Sequence, residues 1–423
     1  MIALHQQRHD YARFLPAVNN TYARWAARSG ISSNTRRPVE GVSLRDLNFL
    51  GPKSPLFHYD GALYTAAFGV FDRGPTIISQ RLRSRTFLLG DSGGFSLISG
   101  AVRVPMHQFR RLVLDWQEAN CDVGVALDVP TRSLNDPRSG YTKFEACLND
   151  SENNLKFLIS SRARSDLLLL NVLQGRNHTE ARAWLKRVVP YKLDGYAIAG
   201  HTRLDLHFWC KQFRNMIEQN AFDHVRHIHF LGTGEPGFGV LLTALKRALS
   251  SLVGRPIEIT FDSSRAFRVA QANKIISLGL KLSSFRGTGA SDAFAFRSWQ
   301  LPRDGGHVGR AVPFPFNSPL GNRCTVGDFM PGVDPLKPAF DTTGLNMLSN
   351  HEVYVEIASI IQANRLADLA QADQSLVPWH IQKGVEAITG FFARSISDAW
   401  FDKFKLSLRY YAVDVTDMEG NRD

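Results

Sequence analysis

From about residue 86 the chain falls into short apolar runs, each ending in Gly, Asp, Ser or Thr and each followed by an amphipathic stretch of helical length. The runs are Thr86–Gly90, Val123–Asp128, Leu167–Leu173, Gly195–Ala199, His227–Leu231, Ile257–Phe261 and Leu280–Phe285. Between them HQFRRLVLDWQEA, TEARAWLKRVV, GVLLTALKRALSSL and RAFRVAQANKIISL carry the apolar spacing of helices. This alternation predicts an all-parallel sheet, with a further strand expected inside Leu56–Thr65 (LFHYDGALYT).

A closed barrel and an open doubly wound sheet share that rhythm, and the polar residues separate them. The runs end in GDSGGF, ALDVP, VLQGR, AIAGHT, LGTGEP, TFDSS and FRGTG, so chemistry is written at every strand end. A barrel gathers all its strand C-termini around one mouth, whereas an open sheet gathers only those beside its switch point. The fold class expected is therefore α/β, a (β/α)8 TIM barrel. Residues 1–50, aromatic and Arg-rich without a sustained period, read as a basic N-terminal extension, and 51–300 as the barrel. Residues 301–423, which include the Pro/Gly/Phe-rich VPFPFNSPLGNRC and resume as helices from about Glu352 to Phe404, read as an appendage packed on it.

Composition narrows the class. An apolar fraction of 44% and a charged fraction of 21% belong to a globular protein. No apolar window is long enough to span a bilayer, and the charged N-terminus lacks a signal-peptide core, so a cytoplasmic protein with no membrane partner is expected. Four scattered cysteines, Cys121, Cys147, Cys210 and Cys324, write neither a disulfide framework nor a local zinc cluster. The net charge of +11 favours a polyanionic partner such as nucleic acid.

Several motifs compete for attention. GDSGG at Gly90–Gly94 also surrounds the serine of chymotrypsin-like proteases, but those are all-β and this chain alternates β with α. Gly232-Thr233-Gly234-Glu235-Pro236-Gly237 matches a dinucleotide fingerprint formally, yet it lies late in the series rather than in the first βα unit. His227 and His229 share one strand face and could join His201 or Cys210 at a metal; barrel-core histidines are the simpler reading, and no metal site is assigned. Asp91, Asp128 and Asp262 each suit helix N-capping alone. Three carboxylates around one mouth are costly together, which marks them as functional.

In order and spacing, DSGGF at Asp91–Phe95, Asp128, VLQG ending at Gly175, GYAIAG at Gly195–Gly200, FLGTG at Phe230–Gly234 and FDSS at Phe261–Ser264 resemble the tRNA-guanine transglycosylase superfamily. The resemblance covers about residues 86 to 290. It implies that Asp262 is the nucleophile attacking the sugar anomeric carbon and Asp91 the general acid/base. It further implies that Asp128 accepts from the N1 and N2 edge of the base, that Gln174 and the Gly200 N–H read its carbonyl, and that Ser92, Phe95, His201 and Leu231 shape the pocket.

The family's zinc cluster has no counterpart here: only Cys324 stands in that region, Ser349 falls where the zinc histidine would, and His307 and His351 are the remaining candidates. No cofactor is required by the chemistry. Downstream of Asp262 the chain reads SSRAFRVAQ, closer to the archaeal and DNA-directed branches than to the bacterial tRNA enzymes. The expectation is exchange of guanine in DNA for a 7-deazaguanine such as 7-cyano-7-deazaguanine (preQ0). The tRNA enzyme is the near alternative and a non-catalytic nucleic-acid-binding subunit the remote one. A homodimer and accessory DNA-modification proteins are the further partners that the resemblance suggests.

Overall fold

The computed structural model describes residues 4, 7–28, 42–270, 275–283, 293–300, 312–329, 342–370 and 374–409. Eight parallel strands form a (β/α)8 barrel: β1 Arg13–Pro16, β2 Gly61–Thr65, β3 Phe87–Asp91, β4 Val123–Val125, β5 Leu168–Leu173, β6 Gly195–Ile198, β7 His227–Phe230 and β8 Glu258–Ser263. Neighbours pair in sequence order, and β1 pairs with β8 in the register Phe14 to Phe261 and Leu15 to Asp262. The remaining seam, between β1 and β2, is closed by a single bridge from Ala17 to Leu63, with Val18 N–H donating to Leu63 O at 3.0 Å.

Two strand assignments differ from the sequence reading. The first barrel strand lies in the stretch expected to be an extension: RFLP is only four residues long and opens on an arginine, too short to display a period. Conversely, Leu280–Ser283 is not a barrel strand. It ends β9, Ile275–Ser283, which pairs antiparallel with β10, Ala293–Gln300, as a separate two-stranded sheet; Ser284 and Phe285 lie outside the described residues. Of the helix expected over RAFRVAQANKIISL, Arg265–Arg268 is α-helical, residues 271–274 lie outside the described residues, and from the β-branched Ile275 and Ile276 onward the chain is β9.

The barrel interior is filled by Leu15, Leu63, Leu89, Val123, Val125, Leu170, Val172 and Ala197. Such branched aliphatics stack in layers and make the interior a packed core rather than a pore. On β7 and β8 the filling turns polar, with His227, His229 and Thr260 all buried. Outside, each crossover helix lays its apolar stripe on the strands. The helix Pro236–Val253 is buried over most of its length because a second layer covers it, the helices Thr342–Leu369 and Trp379–Phe392. The long helix begins at Thr342, ahead of the Glu352 that the sequence suggested, and is buried on nearly all sides. Glu352 ties it to the small sheet by accepting from Ser277 N–H at 2.7 Å.

Among the described residues no helix is long and apolar enough to cross a membrane.

Candidate active site at the barrel mouth

The C-terminal strand ends bring Asp91, Asp128, Gln174, Gly200, Leu231 and Asp262 to one face of the barrel. Asp91 ends β3. Its carboxylate accepts from Gly93 N–H at 3.1 Å and from the Thr65 hydroxyl at the end of β2. The two glycines that follow have separate reasons. Gly93 takes a left-handed turn at φ +76°, and a Cβ on Gly94 would stand 2.3 Å from the Asp128 backbone oxygen. The DSGGF turn therefore lets the β3 and β4 ends approach each other closely, and with them Asp91 and Asp128.

Burial pushes the Asp91 carboxyl above its ordinary range, and the charge on Asp262 adds to the shift. Asp128 is pushed up to about 7, by burial first and then by the charge on Asp91. The three carboxylates thus act on one another electrostatically across the mouth, as expected when like charges share a low-dielectric site. Asp128 Oδ2 accepts from the Gln174 amide at 2.5 Å. The same amide nitrogen also reaches Val129 O at 3.2 Å, and the Gln174 carbonyl accepts from Thr131 N–H at 2.8 Å. In this arrangement Gln174 buttresses Asp128, and a base carbonyl would reach its amide only by displacing Asp128 or Val129.

Asp262 ends β8, almost wholly buried. Its Oδ1 accepts from Gly232 N–H at 2.8 Å and lies 3.1 Å from His229 Nε2. Its backbone oxygen accepts from Thr233 N–H at 2.6 Å. The GTGEPG loop that resembles a dinucleotide fingerprint therefore applies its first two amides to Asp262.

The other expected residues flank this trio. Ser92 is buried, with a hydroxyl that finds no partner among the described residues. Phe95 is exposed at the start of the helix Gly94–Ile98, with the Arg132 guanidinium 5.4 Å from its ring centre. Gly200 follows β6, and its N–H meets no protein acceptor among the described residues. His201 is exposed in the turn just beyond, and half-buried Leu231 caps the apolar filling of the barrel.

Sequence reasoning missed three residues: Thr65, which donates to Asp91, His229, which holds Asp262, and Thr260, which meets the far nitrogen of His229. The signal was present, since Thr260 and Asp262 alternate on β8 as His227 and His229 do on β7 and so share its inner face. The two histidines are barrel-core residues. His227 Nε2 lies 2.7 Å from Thr260 Oγ1, and its ring stacks on Phe87.

Among the described residues no group of three or more His, Cys, Asp or Glu side chains is arranged to hold a metal ion. His351 is fully buried, its Nδ1 2.8 Å from Ser318 Oγ and its Nε2 2.9 Å from Ser277 O. Ser349 donates to Leu345 O within its own helix, and His307 lies outside the described residues.

The chain matches no protein-family profile and no curated protein.

Proposed function

We propose that this protein is a base-exchanging transglycosylase that replaces guanine in DNA with a 7-deazaguanine through a glycosyl-aspartate intermediate. The observation that carries the reading is the pairing of unlike carboxylates at one barrel mouth. Asp262 is fixed by two donors on one oxygen, as a nucleophile must be, while burial raises the pKa of Asp91 and so favours the protonated form that a general acid needs.

The chemistry closes on these residues. One oxygen of Asp262 bonds to the anomeric carbon as the bond to guanine N9 breaks, and the departing base takes its proton from Asp91. The incoming 7-deazaguanine returns a proton to Asp91 as its N9 displaces Asp262. The glycosyl bond is kept as an ester between the two steps, so no free oxocarbenium ion or nucleotide triphosphate is needed. Asp128, buttressed by Gln174, supports recognition of the N1–H and N2–H edge, and the Gly200 N–H, which meets no acceptor among the described residues, supports recognition of a carbonyl. Exposed Phe95 offers a face on which a flipped base would stack, beside the cation of Arg132. The net charge of +11 suits the phosphate backbone.

The test is retention of radiolabelled guanine in polymer after incubation with duplex DNA, single-stranded DNA or unmodified tRNA. Label in DNA is expected, with Asp262→Asn abolishing both label and covalent adduct. Label in tRNA alone would keep the mechanism and overturn the substrate. Retained turnover in Asp262→Asn would overturn the mechanism.

A further inference from the structure

Both hydrogen bonds of the Asp262 side chain fall on Oδ1, from Gly232 N–H at 2.8 Å and at His229 Nε2, 3.1 Å away; among the described residues Oδ2 has none. Behind His229 the contacts continue into the barrel. His229 Nδ1 lies 2.8 Å from Thr260 Oγ1, and that hydroxyl lies 2.7 Å from His227 Nε2. All three side chains are buried, so no water competes for these bonds.

The donors and acceptors of this column can be ordered from its top. An ionised Asp262 only accepts, so His229 must present Nε2–H to it. With that proton on Nε2 and none on Nδ1, the ring has a lone pair on Nδ1, and the donor in reach is the Thr260 O–H. The Thr260 oxygen in turn accepts from His227 Nε2–H. Burial keeps His227 neutral, its pKa pushed down to about 3, so it carries one ring N–H to give. The column His227, Thr260, His229, Asp262 is thus satisfied in one direction, from the core to the mouth.

We propose that His229, oriented by Thr260 and His227, is a positioning residue that reserves Asp262 Oδ2 for the sugar and holds Oδ1 for the charge that returns when the glycosyl ester breaks. This rests on the transglycosylase reading. Exchange needs an aspartate that both attacks and leaves. While Oδ2 bonds to the anomeric carbon, Oδ1 becomes the ester carbonyl and the bond order shifts toward it. When the incoming base displaces the sugar, the electron pair of the C–Oδ2 bond returns to the carboxylate and negative charge reappears on Oδ1. Two donors already aimed at Oδ1 stabilise that charge without reorganisation, much as an oxyanion hole does, and they stop the carboxylate from rotating out of line. Thr260 touches neither substrate nor Asp262; its hydroxyl selects which nitrogen of His229 carries the proton.

The test uses the full chain labelled with 15N-histidine, and the variants Thr260→Val, Thr260→Ser and His229→Phe. Nitrogen shifts are expected to show His229 as the Nε2–H tautomer in the wild type and in Thr260→Ser, and to move in Thr260→Val. Label exchange into the polymer accepted by the wild type is expected to fall about ten-fold in Thr260→Val, as for one lost hydrogen bond. It should return in Thr260→Ser and fall about 100-fold in His229→Phe, as for one lost oxyanion donor. Binding of guanine alone should be unchanged in all three variants, which also reports that the barrel is folded. An Nδ1–H tautomer on His229, or full-rate exchange by Thr260→Val, overturns the inference. A wild type that exchanges no label in any polymer overturns the transglycosylase reading and the catalytic role with it, while the tautomer still decides the order of the column.

Discussion

Gln174 donates its amide to Asp128 Oδ2 at 2.5 Å while its own carbonyl accepts from Thr131 N–H at 2.8 Å, so one side chain fixes both the carboxylate and the loop that carries it. Replacing Gln174 with Ala removes the donor and leaves a buried N–H on Thr131 without a partner. The expected cost is about 1–3 kcal/mol in urea unfolding, with guanine affinity down about ten-fold by calorimetry. Gln174→Glu should weaken guanine further still, because a second carboxylate would then face Asp128.

Recognition of the guanine edge by Asp128 requires its carboxylate form, and its pKa of about 7 places the change inside an accessible window. Guanine affinity should therefore rise with pH up to about 7 and level off above it, falling by about ten-fold per pH unit on the acid side. Asp128→Asn should flatten the profile. Since the charge on Asp91 contributes to the upward shift, Asp91→Asn should move the midpoint to lower pH. A midpoint that stays put in Asp91→Asn would separate the two carboxylates and contradict their coupling.

Glu356, buried in the long C-terminal helix, is pushed up to about 8, by burial first; the charges of Glu352 and Glu235 add to the shift and Arg265 opposes it. Its folded pKa lies above the ordinary 4.5 of the unfolded chain, so folding favours the protonated form. The stabilisation is fully present below 4.5 and is lost progressively as pH rises, completely so above about 8. Glu356→Gln, which cannot ionise, should raise the melting temperature at pH 9 by roughly 2–4 °C while changing little near pH 5. Scanning calorimetry at the two values checks it.

Gly94→Ala should be more damaging than an exposed glycine replacement such as Gly74→Ala, where a Cβ meets nothing within 4 Å. At Gly94 the added carbon would press on the Asp128 backbone oxygen, and the expected cost is about 1–3 kcal/mol in urea unfolding. Because the shift moves Asp128 away from Asp91, the pH midpoint of guanine binding should fall as well.

Most of the barrel was legible because its strands are continuous apolar runs capped by polar residues, a pattern that survives without knowledge of contacts. The failures have local causes. RFLP is too short to show a period, yet Leu15 fills the interior and Phe14 packs outward at 5.4 Å from Phe261. IISLGLKLS is apolar enough for a barrel strand, and what diverts it is a tertiary partner, the buried Glu352 far along the chain. The carboxylates of the mouth could be read from their positions at strand ends. Their partners could be read only in part: alternation puts His229 and Thr260 on the inner faces of their strands, but the pairing that sets β7 beside β8 and Thr65 beside Asp91 is not written in either run. Gln174 shows the same limit from the other side: its place at the mouth is legible, whereas the direction of its amide depends on Val129 and Thr131, which no spacing rule connects to it.

The order in which the barrel closes has a kinetic meaning. β1 is the first barrel strand to be made and β8 the last, yet they are partners, and Leu15 stands in register with Asp262. Every other ladder joins neighbours along the chain, so those pairings form at low loop-closure cost, while this one must wait for nearly the whole barrel sequence. A nascent or partly unfolded chain can hold Asp91, Asp128 and Gln174 on contiguous strands while Asp262 still lacks one side of its lattice. Reactive competence would then arrive late and all at once, with the meeting of the two ends, and the four residues of β1 would act as the latch on a site to which they contribute no chemistry.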